Sequence, residues 1–470
     1  MSFETSHQRA GDRLPKGGRV LVLGAGESGI SAARLLHSEG HDVTLADFQL
    51  HPAHTNEGLR EIASSGVRVV FGADCIRADD VSSFAYGVVS PGVDSTVGPV
   101  RSLVAGGLTL VSEIELAWLR AQRPCVAVTG TNGKTTTTQI IELMLNECGK
   151  RTRASGNIGP SFSRQIFSGE ALDYDTLEVS SFQLETIHRF HPKGVVWTNF
   201  AEDHLDRYPD MGAYRRAKLR IFENLTEEDF AVVNLRDALP ELRCEKITFS
   251  AYVGGGDFDL KDGAIRYRGE KLLEASRIRL RGAHNIENMM AALGVGLGLG
   301  LDLSACAEAI ATYCPQPHRC ELIATVNDVE YVNDSKATNL DSVEKALLSE
   351  VRPVVLIAGG KDKGFGFGPL TGLVAARCRA AVLIGEMAAR IRDEWAPSVD
   401  CHLSGSLPEA VSLASRLSSP GDVVLLSPGT SSFDMFKNYA QRGEVFREEV
   451  RKLGELASAE QQDCQPLRNV

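Results

Sequence analysis

The stretch VAVTGTNGKTTTTQI, residues 126–140, constrains this chain more than any other, because an apolar run breaks at a glycine-rich turn and resumes with helical periodicity. A lysine and threonines at such a break are what a phosphate-binding loop needs: glycines let backbone amides converge on an anion, and the helix N-terminus adds positive potential. The loop is shorter than the usual Gly, any four residues, Gly-Lys-Ser/Thr; Val128 stands where the first glycine belongs, and Gly130 precedes Gly133 by three residues. The spacing predicts a strand ending at Thr129 and a helix beginning near Lys134. Lys134 would meet terminal phosphates, and Thr135 would offer a hydroxyl to Mg²⁺.

At 470 residues the chain exceeds one ordinary core. Roughly 100–200 residues per domain gives two to four domains, and the pattern divides into three. We expect a mobile segment over 1–18, domains over 19–121, 122–316 and 317–457, and a mobile tail over 458–470. Each domain reads as α/β on a mainly parallel sheet: a Rossmann-like first domain, a P-loop ATPase-like second and a Rossmann-like third. A net charge of -11 argues against nucleic acid as a partner. The first residues lack a signal-peptide core, and no run approaches the roughly 20 apolar residues of a membrane span. The ten cysteines show no CxxC or zinc spacing and read as reduced thiols of a cytoplasmic protein.

In the first domain RVLVLGAGESG leads into a helical period and then the strand DVTLAD. Gly24-Ala25-Gly26-Glu27-Ser28-Gly29 is a compressed relative of the dinucleotide fingerprint, and Asp47 closes the second strand where ribose contacts are common. The turn reads either as a tight connection alone or as a nucleotide-diphosphate site. The early third glycine favours a UDP-type ligand over a redox cofactor.

Further along, Glu178 and Ser180 of LEVSSFQLE and Asp203, His204 and Asp206 of TNFAEDHLDRY follow apolar strands. They read as a Mg²⁺ site or as a solvated acidic turn. Lys218 lies within a helical apolar stripe of Tyr214, Ile221, Phe222 and Leu225, four residues from both aromatics. It must snorkel, pair, lose its charge or be modified, and a neutral amine there could add CO₂ to become a metal-binding carbamate. In the third domain Asp334, Lys336, Thr338 and Asn339, then Lys363, then Ser432, follow successive strands and suggest one convergent site for an anionic co-substrate, completed by domain closure.

These residues together resemble the ATP-dependent Mur ligases of peptidoglycan synthesis, from Gly24 to Arg442. The short TGTNGKT loop carries the likeness, with SPG at Ser90, GNIG, LEVSSFQLE, DHLDRY, GAHNIEN, PHR, NDSKATN and SPGTSSFDMFKNYAQRG. It is strongest to the members that add D-glutamate to UDP-N-acetylmuramoyl-L-alanine. The resemblance implies an acyl-phosphate and then a tetrahedral intermediate, with ATP, a pair of Mg²⁺ ions and a CO₂-derived carbamate on Lys218. It implies ATP contacts from Gly130, Thr131, Asn132, Gly133, Lys134, Thr135, Thr136, Asn285, Asn288, Arg319 and Asp334. Metal would be held by Thr135, Glu178, His204 and Lys218, and catalysis would rest on Lys134, Glu178, His204 and Lys218. The UDP substrate would meet Ser28, Asp47, Ser90, Gly92, Asn157 and His204. D-glutamate would meet Lys336, Thr338, Lys363, Ser432, Phe433 and Tyr439. The resemblance also favours a monomer.

Three departures bear on ligand contacts: the uridine turn reads Asp47-Phe48-Gln49 without the threonine and arginine of some relatives, Lys361 replaces an acidic residue, and Tyr439 stands where phenylalanine can occur. The alternatives are a Mur ligase adding L-alanine or a diamino acid, a folylpolyglutamate synthase, or a nucleotide-binding regulator without ligase activity. No DNPR-like diamino-acid motif occurs in the third domain.

Overall fold

The computed structural model describes residues 14, 17–49, 57–72, 75–76, 78–94, 98–205, 207–278, 280, 282–313, 317–364 and 366–463. Asp206 and most of the two expected terminal segments lie outside them; the helix Tyr439–Asp463 continues through residues 458–463 of the expected tail.

Three sheets follow one another along the chain. The first comprises β1 (Arg19–Leu23), β2 (Asp42–Asp47), β3 (Arg68–Phe71), β4 (Tyr86–Val89) and β5 (Leu110–Ser112), in the order β3-β2-β1-β4-β5 and wholly parallel. The order reverses between β1 and β4, which opens the crevice where such sheets take ligands. The turn after β1 and the segment after β4 border that crevice, and the Ser90 hydroxyl donates to the Gly24 carbonyl at 3.3 Å.

The second sheet holds β6 (Cys125–Thr129), β7 (Thr152–Gly156), β8 (Tyr174–Glu178), β9 (Gly194–Trp197), β10 (Phe230–Asn234), β11 (Glu245–Ser250), β12 (Phe258–Lys261), β13 (Ala264–Tyr267) and β14 (Glu270–Glu274). Its order is β14-β13-β12-β11-β10-β9-β6-β8-β7. β6 is buried along its whole length between β8 and β9, as a strand covered on both faces must be, hence its unbroken apolar run CVAVT. The apolar segment near Ala291 forms a helix, Ala283–Gly298, packed over this sheet.

Beyond the parallel β11 and β12 the sheet ends in an antiparallel edge, with β13 pairing antiparallel to both β12 and β14. Asp262-Gly263 and Arg268-Gly269 all take positive φ between paired strands, the conformation that two-residue hairpins of this twist require.

The third sheet contains β15 (Glu321–Val326), β16 (Val329–Asn333), β17 (Val354–Gly359), β18 (Cys378–Ile384), β19 (Asp400–Leu403) and β20 (Val423–Leu426), in the order β15-β16-β20-β17-β18-β19. Only β15 is antiparallel, joined to β16 through Asn327-Asp328 at positive φ. β16, β20 and β17 are neighbours, so the segments after them, far apart in sequence, leave one edge of the sheet together.

Candidate active site

β6 ends at Thr129 and the helix Lys134–Glu147 begins directly after the loop. Both loop glycines are required by their surroundings. Gly130 has φ 143° and a Cβ there would lie 2.0 Å from the Thr198 hydroxyl; Gly133, at φ 82°, would meet the Asn288 side-chain oxygen at 2.4 Å. Asn199 braces the loop: its carbonyl accepts from the Thr131 amide at 2.8 Å, and its side chain bonds the Asn132 amide at 3.0 Å and carbonyl at 2.9 Å. Lys134 folds over the loop and donates to the Gly130 and Thr131 carbonyls at 3.1 and 2.7 Å. Burial lowers its pKa, against the pull of Glu178 and Asp203.

Lys218 lies on the helix Met211–Leu219 and is 1% exposed. Its ammonium donates to the Gly130 carbonyl at 2.6 Å and stands 4.8 Å over the Tyr214 ring. Burial, then Lys134, hold its pKa well below the usual lysine value, which favours the neutral amine. Glu178, at the end of β8, accepts from the Asn157 side chain at 2.7 Å through one oxygen, while Oε2 is buried without a partner. His204 has φ 56° and packs edge-on to Phe182 and Tyr214. Burial lowers its pKa, with Lys218, Lys134 and Lys363 acting in the same sense and Asp203 opposing. Ser180, grouped with Glu178 by sequence, is instead a helix cap: its side chain and that of Gln183 complete a capping box.

The third domain meets the loop through Asn132. The Asn132 side-chain Nδ2 donates to Asp341, and its Oδ1 accepts from Ser342 at 3.1 Å and Asn339 at 3.4 Å; Asn339 also donates to Asp203 at 3.2 Å. Beside this contact a cleft brings together Asn132, Gly133, Thr136, Asn285, Asn288, Arg319, Asp334 and Lys336. Its free space is about 80 Å³. Asp334 accepts from Ser427 at 2.9 Å and from the Cys320 amide at 3.2 Å, and burial pushes its carboxyl up to about 7.

Of the residues expected around an amino acid, Lys363 donates to the Thr338 carbonyl at 3.1 Å, and Lys336 lies 3.9 Å over the Tyr439 ring. Burial, then Arg319, lower Lys336 to about 8. Ser432 is buried, whereas Phe433 is 66% exposed.

In the first domain the Asp47 carboxylate ties down the turn, accepting from the Ala25 amide at 2.9 Å and the Gln49 amide at 3.0 Å. Ser28 sits in the first turn of the helix Glu27–Ser38, whose N-cap Gly26 has no side-chain cap. A Cβ at Gly92 would meet nothing within 4 Å, so the fold does not demand glycine there.

Asn199, Asp341 and Ser342 escaped the reading of the sequence. Only the cap pattern Asn-Leu-Asp-Ser, which starts the helix Leu340–Ser349 with Asn339 as N-cap, hinted at the last two.

Residues 128–296 match the Mur ligase middle domain and residues 318–429 the Mur ligase glutamate ligase domain. The chain is 41% identical over 452 residues to a UDP-N-acetylmuramoylalanine–D-glutamate ligase of Geotalea uraniireducens (strain Rf4), covering 93% of this chain and 98% of that one. It is 42% identical over 448 residues to a protein of the same name from Trichlorobacter lovleyi, covering 93% and 99%. In fold it resembles the MurF ligase of Thermotoga maritima in complex with ADP, with a TM-score of 0.59 at 17% identity over 93% of this chain and 96% of that one. It also resembles UDP-N-acetylmuramate-alanine ligase MurC of the same organism, with a TM-score of 0.58 at 18% identity over 93% and 99%. With both domain models matched in order and identity near two-fifths sustained over almost the whole length, the chain belongs to the Mur ligase family.

Proposed function

We propose that this chain is an ATP-dependent ligase that joins D-glutamate to UDP-N-acetylmuramoyl-L-alanine. The observation that carries the reading is the near-full-length identity to ligases of that name. In this reaction a carboxylate oxygen of the alanyl group bonds to the γ-phosphorus of ATP as the bond to ADP breaks. The amine of D-glutamate then adds to the acyl carbon, and the tetrahedral intermediate collapses with loss of phosphate and a proton. Every reactant is anionic, so the site must gather negative charge without repulsion.

Lys134 would leave the loop carbonyls for the terminal phosphates, with the N-terminus of the helix Lys134–Glu147 supporting the same charge. The buried, unpaired Oε2 of Glu178 suits a cation, and Thr135, His204 and a carbamate on Lys218 complete a donor set for Mg²⁺. Among the described residues no three His, Cys, Asp or Glu side chains enclose a metal. Bound Mg²⁺ would neutralise phosphate charge during transfer. The carbamate would form as the neutral Lys218 amine bonds to CO₂ and releases a proton, so that a carboxylate replaces a buried amine.

Asn285, Asn288, Arg319 and Asp334 would bind ATP, with Asp334 at the ribose. Ser28, Asp47, Ser90, Gly92, Asn157 and His204 would hold the UDP substrate, and Lys336, Thr338, Lys363, Ser432, Phe433 and Tyr439 the D-glutamate. No helix among the described residues is long and apolar enough to cross a membrane. We place the enzyme in the cytoplasm as a monomer.

The test is phosphate release from ATP with UDP-N-acetylmuramoyl-L-alanine, comparing D-glutamate with L-alanine, meso-diaminopimelate and L-lysine. Release should depend on D-glutamate. Release driven by another amino acid would overturn the specificity, and none with any would overturn the ligase.

A further inference from the structure

The turn after β1 holds an apparent contradiction. Among the described residues the amides of Gly26, Glu27 and Ser28 have no hydrogen-bond partner, and the helix they begin has no side-chain cap. Such a turn suits a diphosphate. Yet its first helical residue is Glu27, whose carboxylate would repel a diphosphate if it turned toward those amides.

The structure turns it the other way. Glu27 Oε1 accepts from the Ser31 hydroxyl at 3.2 Å, one turn along its own helix, and from the Ser161 hydroxyl at 3.1 Å and amide at 3.4 Å, across the boundary with the central domain. Ser161 is 1% exposed and is the N-cap of the helix Phe162–Ser168; next to it Glu113 accepts from the Ser163 amide. The carboxylate is therefore held on donors of the central domain, away from the turn.

We infer that Ser161 is a positioning residue for substrate binding: it sequesters the Glu27 carboxylate so that the turn can accept a uridine diphosphate group. The inference rests on the UDP-substrate reading given above. Ser161 acts through Glu27 and touches no reacting atom. Without the Ser161 hydroxyl, Glu27 keeps only the Ser31 hydroxyl and the long 3.4 Å bond from the Ser161 amide among the described residues, and the charge can swing toward the diphosphate.

The test is a double-mutant cycle read by calorimetric titration with UDP as the probe, on the wild type, Ser161→Ala, Glu27→Gln and the double variant. Ser161→Ala should weaken UDP binding by roughly three- to tenfold, and the loss should shrink at high salt, as a charge effect does. Glu27→Gln should bind at least as well as the wild type. Adding Glu27→Gln to Ser161→Ala should restore binding, although both Ser161→Ala proteins lose the same cap. Equal weakening in Ser161→Ala and the double variant would make Ser161 merely structural and overturn the inference, as would unchanged binding in Ser161→Ala. Failure of the ligase reading would show separately, as absence of D-glutamate-dependent phosphate release by the wild type.

Discussion

The chain contains two strand–glycine–helix turns, after β1 and after β6, and they are built for different work. In the turn at Gly24–Gly29 the amides of Gly26, Glu27 and Ser28 have no partner among the described residues, and a carboxylate is drawn aside. The loop at Gly130–Gly133 is braced from every direction, by Asn199 and Lys218 of the central domain and, through Asn132, by Asp341 and Ser342 of the third. An anion that is only bound needs amides and space. A phosphoryl group that is transferred needs a loop whose frame is fixed in advance, so that only Lys134 would have to move, from the Gly130 and Thr131 carbonyls to the phosphates.

The sharpest way to break the comparison is to remove the lysine of the braced loop. Lys134→Ala should lower acyl-phosphate formation by at least roughly a thousandfold, a loss on the scale of removing a key transition-state charge. Unchanged turnover would show that the loop does no transfer. Next is Lys218→Ala, expected to lose roughly a hundredfold in turnover and to regain part of it with added formate or acetate standing in for the carbamate. Full activity without added carboxylate would defeat the carbamate.

A third effect is on stability. Burial raises the Asp334 carboxyl to about 7, far above the usual aspartate range. Between about pH 4 and 7 the folded protein therefore holds a proton that the unfolded chain has released, so this group lowers stability as pH rises through that window. Asp334→Asn, which keeps an acceptor for the Cys320 amide, should stabilise the fold at pH 8 by on the order of 4 kcal/mol at most, seen as a higher melting temperature, and leave it unchanged near pH 4. It should also weaken ATP binding. A lower melting temperature at pH 8 would contradict the assignment.

The smallest effect separates the two turns directly. Gly130→Ala should destabilise by about 2–3 kcal/mol, because its Cβ would meet Thr198 at 2.0 Å and its φ of 143° strains any side chain. Gly26→Ala, with φ −77° and nothing within 4 Å of its Cβ, should change stability by no more than about 0.5 kcal/mol. Equal melting temperatures for the two variants would erase the distinction.

How much of this was legible in the sequence follows the same division. The strand, turn and helix around Lys134 could be read because local chemistry dictates them, and Lys218 stood out because a cation in an apolar stripe demands an explanation. The three sheets follow from apolar runs alternating with helical periods. The braces could not be read. Asn199 lies just after the strand Gly194–Trp197, inside TNFAEDHLDRY, with nothing beside it to mark it, and Asp341 lies 209 residues from the Asn132 it bonds, so only the packing of two domains makes them partners. The antiparallel edge at β12–β14 was legible in principle, since Asp262-Gly263 between alternating strands is a strong hairpin signal. Glu27 reads as an ordinary first-turn acid until Ser161 is seen beside it.

The central claim, that the braced loop directs ATP toward a carboxylate, is tested most directly by isotope transfer. UDP-N-acetylmuramoyl-L-alanine labelled with ¹⁸O in its carboxylate would be turned over with ATP and D-glutamate, and the released phosphate analysed by mass. The account predicts an ¹⁸O atom in each phosphate, carried there through the acyl phosphate. Unlabelled phosphate alongside product would mean that the carboxylate never bonded to phosphorus, and the account would be wrong.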